Sequence, residues 1–357
     1  MAVTTGMVGH GFYNRNSEPQ WAATEAVLPW LDEAAAAMDL TDPPQAIGVA
    51  DFGCSEGANS TRVMRRLVDA FRERTDRPVL TIQSDLPTND FSALLQSLRP
   101  EGRSVHGENV YSTLLGGSMF DQLLPPRSVH LAMTFNAIGF LSCRPIDRLP
   151  GYILPNGPSA VRGVGTISAV DRTAFADQAL RDVESLMAAR AAELVPGGKL
   201  LIEVFGANEN GRTCDGIYDV LNDAVLEALD EGVIDRAGYE AYYQPVYLRT
   251  LDELIAPVAG AGAPLSDVFS LDRAASYEVP VPFVEAYRET GDIAVYARAY
   301  TDFFRAFTEA PLCMAFPEQD PATFADDIFA RAERLVAEHP DRYPFQYVSV
   351  AALMTRR

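Results

Sequence analysis

Val49-Ala50-Asp51-Phe52-Gly53-Cys54-Ser55-Glu56-Gly57-Ala58-Asn59 is the stretch whose reading decides the fold. An apolar run beginning at Ile47 ends in an acid, turns between two glycines and passes into a helical pattern after Asn59 and Ser60. The apolar letters read as the first buried strand of a parallel sheet. Gly53 and Gly57 permit a tight turn and a close approach of ligand to backbone. The following helix turns its unpaired N–H groups toward the same place. In open α/β sheets, crevices at the carboxyl ends of strands bind nucleotide-like ligands. The same letters also suit an ordinary strand-to-helix turn.

Asp51 separates two kinds of ligand. A dinucleotide would place a pyrophosphate here, which a further carboxylate repels, and the G-x-x-x-G spacing departs from G-x-G-x-x-G. S-adenosylmethionine carries a cationic sulfonium and an ammonium, which an acid at the mouth of the loop attracts. The stretch therefore favours a methyl-donor site over that of a nicotinamide-dependent dehydrogenase.

The chain has 357 residues, 48% of them hydrophobic, with 25 Gly and 24 Pro. That is enough for a core and an elaborated second lobe. Its formal net charge is −20 with no basic stripe to offset it, which argues against nucleic acid and anionic membranes as partners. No apolar run is long enough to span a bilayer, and Met1 to Phe12 lacks the pattern of a signal peptide. Cys54, Cys143, Cys214 and Cys313 are scattered without a C-x-x-C pair, as in a reduced cytoplasmic protein. His10, His106, His130 and His339 have no metal-ligand spacing, so no metal site is expected.

Outward from the central stretch, residues 7–16 form a glycine-rich, aromatic-bearing loop. Ser17-Glu18-Pro19-Gln20 has the form of a capping box that opens a helix toward Met38, bent near Pro29. Ser17 and Gln20 serve either as caps or as ligand contacts. Val63, Met64, Leu67, Val68 and Phe71 recur at helical spacing and read as core. Pro78–Ser84 reads as the second strand and Asp85 follows it, where nucleotide-binding folds place a ribose acceptor and other proteins a turn aspartate. Gly116–Phe120 reads as a loop before a further helix, Ser128–Met133 as a buried strand, and Pro/Gly-rich 143–172 as a lid or binding loop. Asp171–Leu194 is helical in period, stopped by Pro196-Gly197-Gly198, and Lys199–Phe205 is a strand. Residues 206–340 read as a mainly α-helical cap, and Phe345–Met354 as a last strand. The expected fold is α/β, a doubly wound core of residues 1–205 with 341–357 beneath that cap.

Several stretches together resemble the SABATH methyltransferases, the salicylate, benzoate and jasmonate carboxyl methyltransferases and their theobromine/caffeine N-methyltransferase relatives. Tyr13-Asn14-Arg15-Asn16-Ser17-x-x-Gln20 is similar to the family's S-Y-A-x-N-S-x-x-Q, and Asp51–Asn59 to D-L-G-C-S-S-G-P-N. Asp85–Phe91 is similar to D-L-P-x-N-D-F, Gly117–Phe120 to G-S-F-Y, Ser128-Val129-His130 to S-L-H, and Arg190–Gly198 to R-A-x-E-L-x-x-G-G. The cap has counterparts at Cys214-x-x-Ile217-Tyr218 and at Glu231–Asp235. The resemblance implies a Rossmann-like class I methyltransferase core with S-adenosylmethionine as cofactor and a small carboxylic acid as substrate. It also implies a homodimer.

Carried over by position, the resemblance implies cofactor contacts at Tyr13, Ser17, Cys54, Asn59, Asp85, Leu86, Ser118 and Met119, with Asp51 and Gly53 in the turn beneath the methionine part. Asp85 would take the ribose hydroxyls, and Leu86 with Met119 would enclose the adenine. Gln20, Asn136, Phe140, Tyr218 and Tyr247 are implied on the substrate side, the first three nearest the reacting carboxylate. Asn136 and Phe140 depart from the family's tyrosine and tryptophan. Phenylalanine donates no hydrogen bond, so Gln20 and Asn136 are expected to supply the polar contacts. The expected reaction is in-line methyl transfer to a carboxylate oxygen. N-methylation of a small heterocycle and a catalytically silent binding protein are the alternatives.

Overall fold

Six consecutive residues, Ile47–Phe52, are buried and form a central strand, as a strand covered on both faces must. The computed structural model describes residues 3–41, 44–100, 104–213, 215–260 and 262–357. Cys214, part of one cap motif, lies outside the described residues. The elements up to the middle of the chain are α1 (Phe12–Asn16), α2 (Glu18–Ala37), β1 (Ile47–Phe52), α3 (Ala58–Arg72), β2 (Val79–Asp85), α4 (Phe91–Leu98), β3 (Val110–Gly116), β4 (Val129–Phe135), α5 (Ala169–Glu193) and β5 (Leu194–Phe205). A small hairpin of β6 (Ala207–Asn208) and β7 (Gly211–Arg212) follows, then α6 (Asp215–Asp230), α7 (Arg236–Ala241), α8 (Leu251–Ile255), β8 (Phe269–Val279), α9 (Pro282–Thr290), α10 (Ile293–Ala315), α11 (Pro321–Glu338) and β9 (Tyr347–Arg356).

The main sheet has seven strands in the order β3-β2-β1-β4-β5-β9-β8. The pairs from β3 through β5 are parallel, and β9 runs antiparallel to both β5 and β8. The order reverses between β1 and β4, so the crevice outside their carboxyl ends is the topological switch point. On one side of the sheet α2 and α3 bury Val27, Leu28 and Leu31 together with Val63, Met64, Leu67 and Phe71. The aromatic cap helices share the larger core on the other side.

The structure corrects several sequence expectations. Ser17 stands at the N-cap of α2, but its side chain makes no capping hydrogen bond. Val110–Gly116 is a strand, and the segment from Gly117 to Ser128 holds no helix. Helix α5 ends at Glu193, so Pro196-Gly197-Gly198 lies in β5 and is not the helix stop. Within the region expected to be helical, Phe269–Val279 is an eleven-residue strand on the edge of the core sheet.

Candidate active site

The turn after β1 is built as its glycines require. Gly53 has φ 95°, and a Cβ there would stand 2.2 Å from the Ala137 Cβ; Gly57 has φ 85°, with Leu94 Cδ1 at 1.9 Å from such a Cβ. Neither position admits a side chain. The Gly53 and Cys54 amides both donate to the Ser84 carbonyl, at 2.7 and 3.0 Å, tying the turn to the end of β2. Asp85 at that end accepts from the backbone N–H of Ser55 at 2.6 Å and of Leu86 at 2.7 Å.

These strand ends open on a cavity of about 280 Å³. Of the residues the sequence singled out, Tyr13, Gln20, Gly53, Asp85, Leu86, Ser118, Met119, Asn136, Phe140 and Tyr218 line it. Asp51, Ser17, Cys54 and Asn59 stand behind the wall, where the Asn59 amide donates to the Ser17 hydroxyl at 3.4 Å. Tyr247 is not in the wall; its hydroxyl donates to Glu253 at 2.8 Å.

The electrostatics of the two strand ends are unusual. Asp51 is 2% exposed and its Oδ1 has no hydrogen-bond partner among the described residues. Burial pushes its carboxyl up to about 7; the Ser60 hydroxyl acts the other way, and the nearby Asp85 adds to the rise. Burial also raises Asp85, against the pull of its two backbone donors. Two buried carboxylates so close to a cavity and short of cationic partners fit a ligand that brings positive charge.

Phe135, Phe140, Phe205, Phe303 and Phe307 give the cavity an apolar share of its wall. Phe303 and Phe307 lie one turn apart on α10, so both reach the same wall. Gln20, 5% exposed, lines the same cavity, and its Oε1 has no hydrogen-bond partner among the described residues. Asn136 is engaged otherwise than expected. Its Nδ2 donates to Glu203 at 3.1 Å, and its Oδ1 accepts from the Tyr347 hydroxyl at 2.7 Å. The amide is therefore held by the protein and not presented outright to an acceptor.

The segment preceding α2 closes the cavity, contributing Val3, Thr4, Gly6 and Met7. Glu56 clamps it, accepting from the backbone N–H of Gly11 at 2.5 Å and of Asn14 at 3.2 Å. Val8 N–H donates to the Ala306 carbonyl of α10 at 3.0 Å, linking segment and cap. Sequence reasoning missed Glu56, Glu203, Phe303, Phe307 and Tyr347. Only the aromatic spacing on α10 carried a signal, and it does not tell core from cavity.

Residues 2–357 match the family described as SAM dependent carboxyl methyltransferase. The chain belongs to that family. Among its relatives, "Probable jasmonic acid carboxyl methyltransferase 2" of Theobroma cacao is 23% identical over 378 residues, covering 98% of this chain and 96% of the relative. "Jasmonate O-methyltransferase" of Arabidopsis thaliana is 26% identical over 370 residues, covering 93% and 92%. The solved structure of loganic acid methyltransferase with SAH shares the fold: 21% identity, 98% of each chain covered and a TM-score of 0.78. The present chain is thus an S-adenosylmethionine-dependent methyltransferase with a Rossmann-like core. The glycine cradle and the partnerless oxygen of Asp51 fit that cationic cofactor. No helix among the described residues is long and apolar enough to cross a membrane.

Proposed function

We propose that this methyltransferase esterifies a small, largely apolar carboxylic acid, which Gln20 holds by its carboxylate. The observation that carries the reading is the near-complete burial of Gln20 in the wall of one cavity with Asp85, Leu86, Met119 and a set of phenylalanines, where its Nε2 is the group able to donate to a carboxylate. Tyr13, Gly53, Asp85, Leu86, Ser118 and Met119 hold the donor, with Asp51, Ser17, Cys54 and Asn59 supporting them from behind. Phe140 and Tyr218 shape the acceptor end. Tyr247 is left out, since its hydroxyl is committed to Glu253. Residues 1–205 with 341–357, joined by Phe269–Val279, form the donor side, and the helices of 206–340 form the cap. A cytoplasmic location rests on the scattered cysteines, and a homodimer on the family resemblance alone.

Bound S-adenosylmethionine supplies an electrophilic methyl group on a sulfonium. A carboxylic acid with a pKa of about 4 is already ionised at neutral pH, so no side chain has to remove a proton. Gln20 fixes the direction of the attacking oxygen. Phe140, Phe303 and Phe307 keep water away from charges that vanish as the ester forms, and the Glu56-clamped segment closes the site. A labelled-methyl assay over benzoate, salicylate, jasmonate and aliphatic acids tests the reading. Base-labile methyl esters identified by mass are expected; label on none of the acids overturns it.

N-methylation of a heterocycle is the second reading. It is favoured by a relative named "Paraxanthine methyltransferase 2", of Arabidopsis thaliana, 28% identical over 271 residues and covering 71% of this chain. Label on xanthines and on no acid would select it.

A further inference from the structure

Behind the acceptor end of the cavity, four buried polar side chains form one hydrogen-bonded row. Tyr347 donates to Asn136 Oδ1 at 2.7 Å, Asn136 Nδ2 donates to Glu203 Oε2 at 3.1 Å, and the Ser349 hydroxyl donates to Glu203 Oε1 at 2.6 Å. Glu203 lies in β5, Tyr347 and Ser349 in β9, and Asn136 directly after β4, held in place by its own backbone N–H donating to the Glu203 carbonyl at 2.8 Å. Glu203 and Ser349 are fully buried, whereas Asn136 and Tyr347 reach the cavity wall. The row thus connects a buried carboxyl group to the surface that an acceptor touches.

We infer that this row is a proton-set relay, in which Glu203 decides whether the Tyr347 O–H points at Asn136 or into the cavity as a second donor to the acceptor carboxylate. The inference rests on the carboxylate reading of the site. An asparagine amide can stand either way round in the same space. With Glu203 ionised, Nδ2 must face it and Oδ1 must accept from Tyr347, so the tyrosine proton is committed to Asn136. With Glu203 protonated, its O–H donates to Asn136 Oδ1 in the reversed amide, Nδ2 donates to the Tyr347 oxygen, and the tyrosine proton turns to the cavity. Apart from the O–H bond of Glu203 itself, only hydrogen bonds are made and broken. The only proton exchanged with solvent is that of Glu203.

The surroundings favour the protonated state at neutral pH. Burial pushes the Glu203 carboxyl up to about 8, with the Ser349 hydroxyl acting the other way. The titratable groups coupled to it are the Tyr13 and Tyr277 hydroxyls, both raised by burial and both neutral across this range. Its side-chain hydrogen-bond partners among the described residues are Asn136 and Ser349, and neither brings a positive charge. Glu203 and Tyr347 are therefore positioning residues: Tyr347 touches the acceptor and Glu203 acts through it.

Calorimetric titration of benzoate and jasmonate into the SAH-saturated protein tests the relay. Both acids stay ionised from about pH 6.5 to about pH 9.5, so any change belongs to the protein. Affinity is expected to fall about tenfold across that range as the second donor is withdrawn, the loss typical of one hydrogen bond to a charged group. Glu203→Gln keeps the shape without the titration, and its affinity is expected to stay flat and high. Tyr347→Phe is expected to be about tenfold weaker near pH 7 and equally flat. SAH affinity, unchanged in both variants, reports that each is folded. A pH profile that Glu203→Gln leaves as in the wild type, or wild-type affinity in Tyr347→Phe, overturns the relay alone. Failure of every acid of the panel, benzoate, salicylate, jasmonate and the aliphatic acids, to bind the SAH complex at any pH overturns the carboxylate reading, and the relay with it.

Discussion

Replacing Asp51 with asparagine removes a charge and almost nothing else, which makes it the sharpest probe of the donor site. The carboxylate is 2% exposed and its Oδ1 has no hydrogen-bond partner among the described residues. From behind the wall its charge acts on the cationic ligand through space, a coupling of about one to two pKa units for opposite charges about 4–6 Å apart, so Asp51→Asn is expected to weaken S-adenosylmethionine by a factor of about ten to a hundred. The wild type carries a second signature. Burial pushes its carboxyl up to about 7 in the ligand-free protein, and the cationic ligand selects the ionised form. Lowering the pH from 7.5 to 6 must first strip a proton from most molecules, so affinity drops roughly tenfold by linkage. Asp51→Asn has no such proton to lose and its affinity is flat over the same interval. Isothermal titration calorimetry of S-adenosylmethionine and SAH at several pH values reads both effects. A variant that binds within twofold of the wild type, or keeps the wild-type pH dependence, refutes the electrostatic account.

Three further outcomes are expected. Gln20→Ala should lower kcat/KM for the acid by about tenfold or more, the loss of a hydrogen bond to a charged group, while SAH affinity stays within twofold; equal damage to both would move Gln20 out of the acceptor role. Glu56→Ala, which cuts the two backbone N–H contacts at Gly11 and Asn14, should speed SAH release and expose residues before α2 to protease, and an unchanged release rate would show that the segment is held by other contacts. Glu203→Gln should change the pH dependence of stability. A carboxyl raised from 4.5 to about 8 in the folded state contributes fully below pH 4.5, and the contribution is lost as pH rises through the folded value. The variant should therefore gain on the wild type from about pH 5 upward, by at most a few kcal/mol beyond pH 8. Melting curves that run parallel from pH 5 to 9 would contradict this.

What the sequence disclosed and what it withheld divide along a physical line. The central strands β1, β2, β4 and β5 were legible because burial on both faces demands continuous apolar runs. The two strands of the main sheet that escaped, β3 and β8, are its two edges. There Tyr111 is 60% exposed and Asp272, Arg273 and Glu278 interrupt the pattern, as an edge that must resist pairing requires. At the candidate site, Asp51, Asp85 and Gln20 could be singled out because the chemistry expected of them follows from a local motif. Asn136 was expected at the site as well, and the structure adds that its amide is hydrogen-bonded to Glu203 and Tyr347. Its partners Glu203 and Tyr347 stand 67 and 211 residues further along the chain, a distance no local pattern spans. Ser17 looked like a cap by spacing, but its hydroxyl instead takes the Asn59 amide.

The most direct test of the account is a crystal structure of the protein with SAH and a carboxylic acid that it methylates. The account places one carboxylate oxygen within about 3 Å of the Gln20 amide, facing the sulfur, with the amino group of SAH on the side of Asp51. An acid seated away from Gln20, or SAH lying elsewhere than over Gly53 and Asp85, would contradict it.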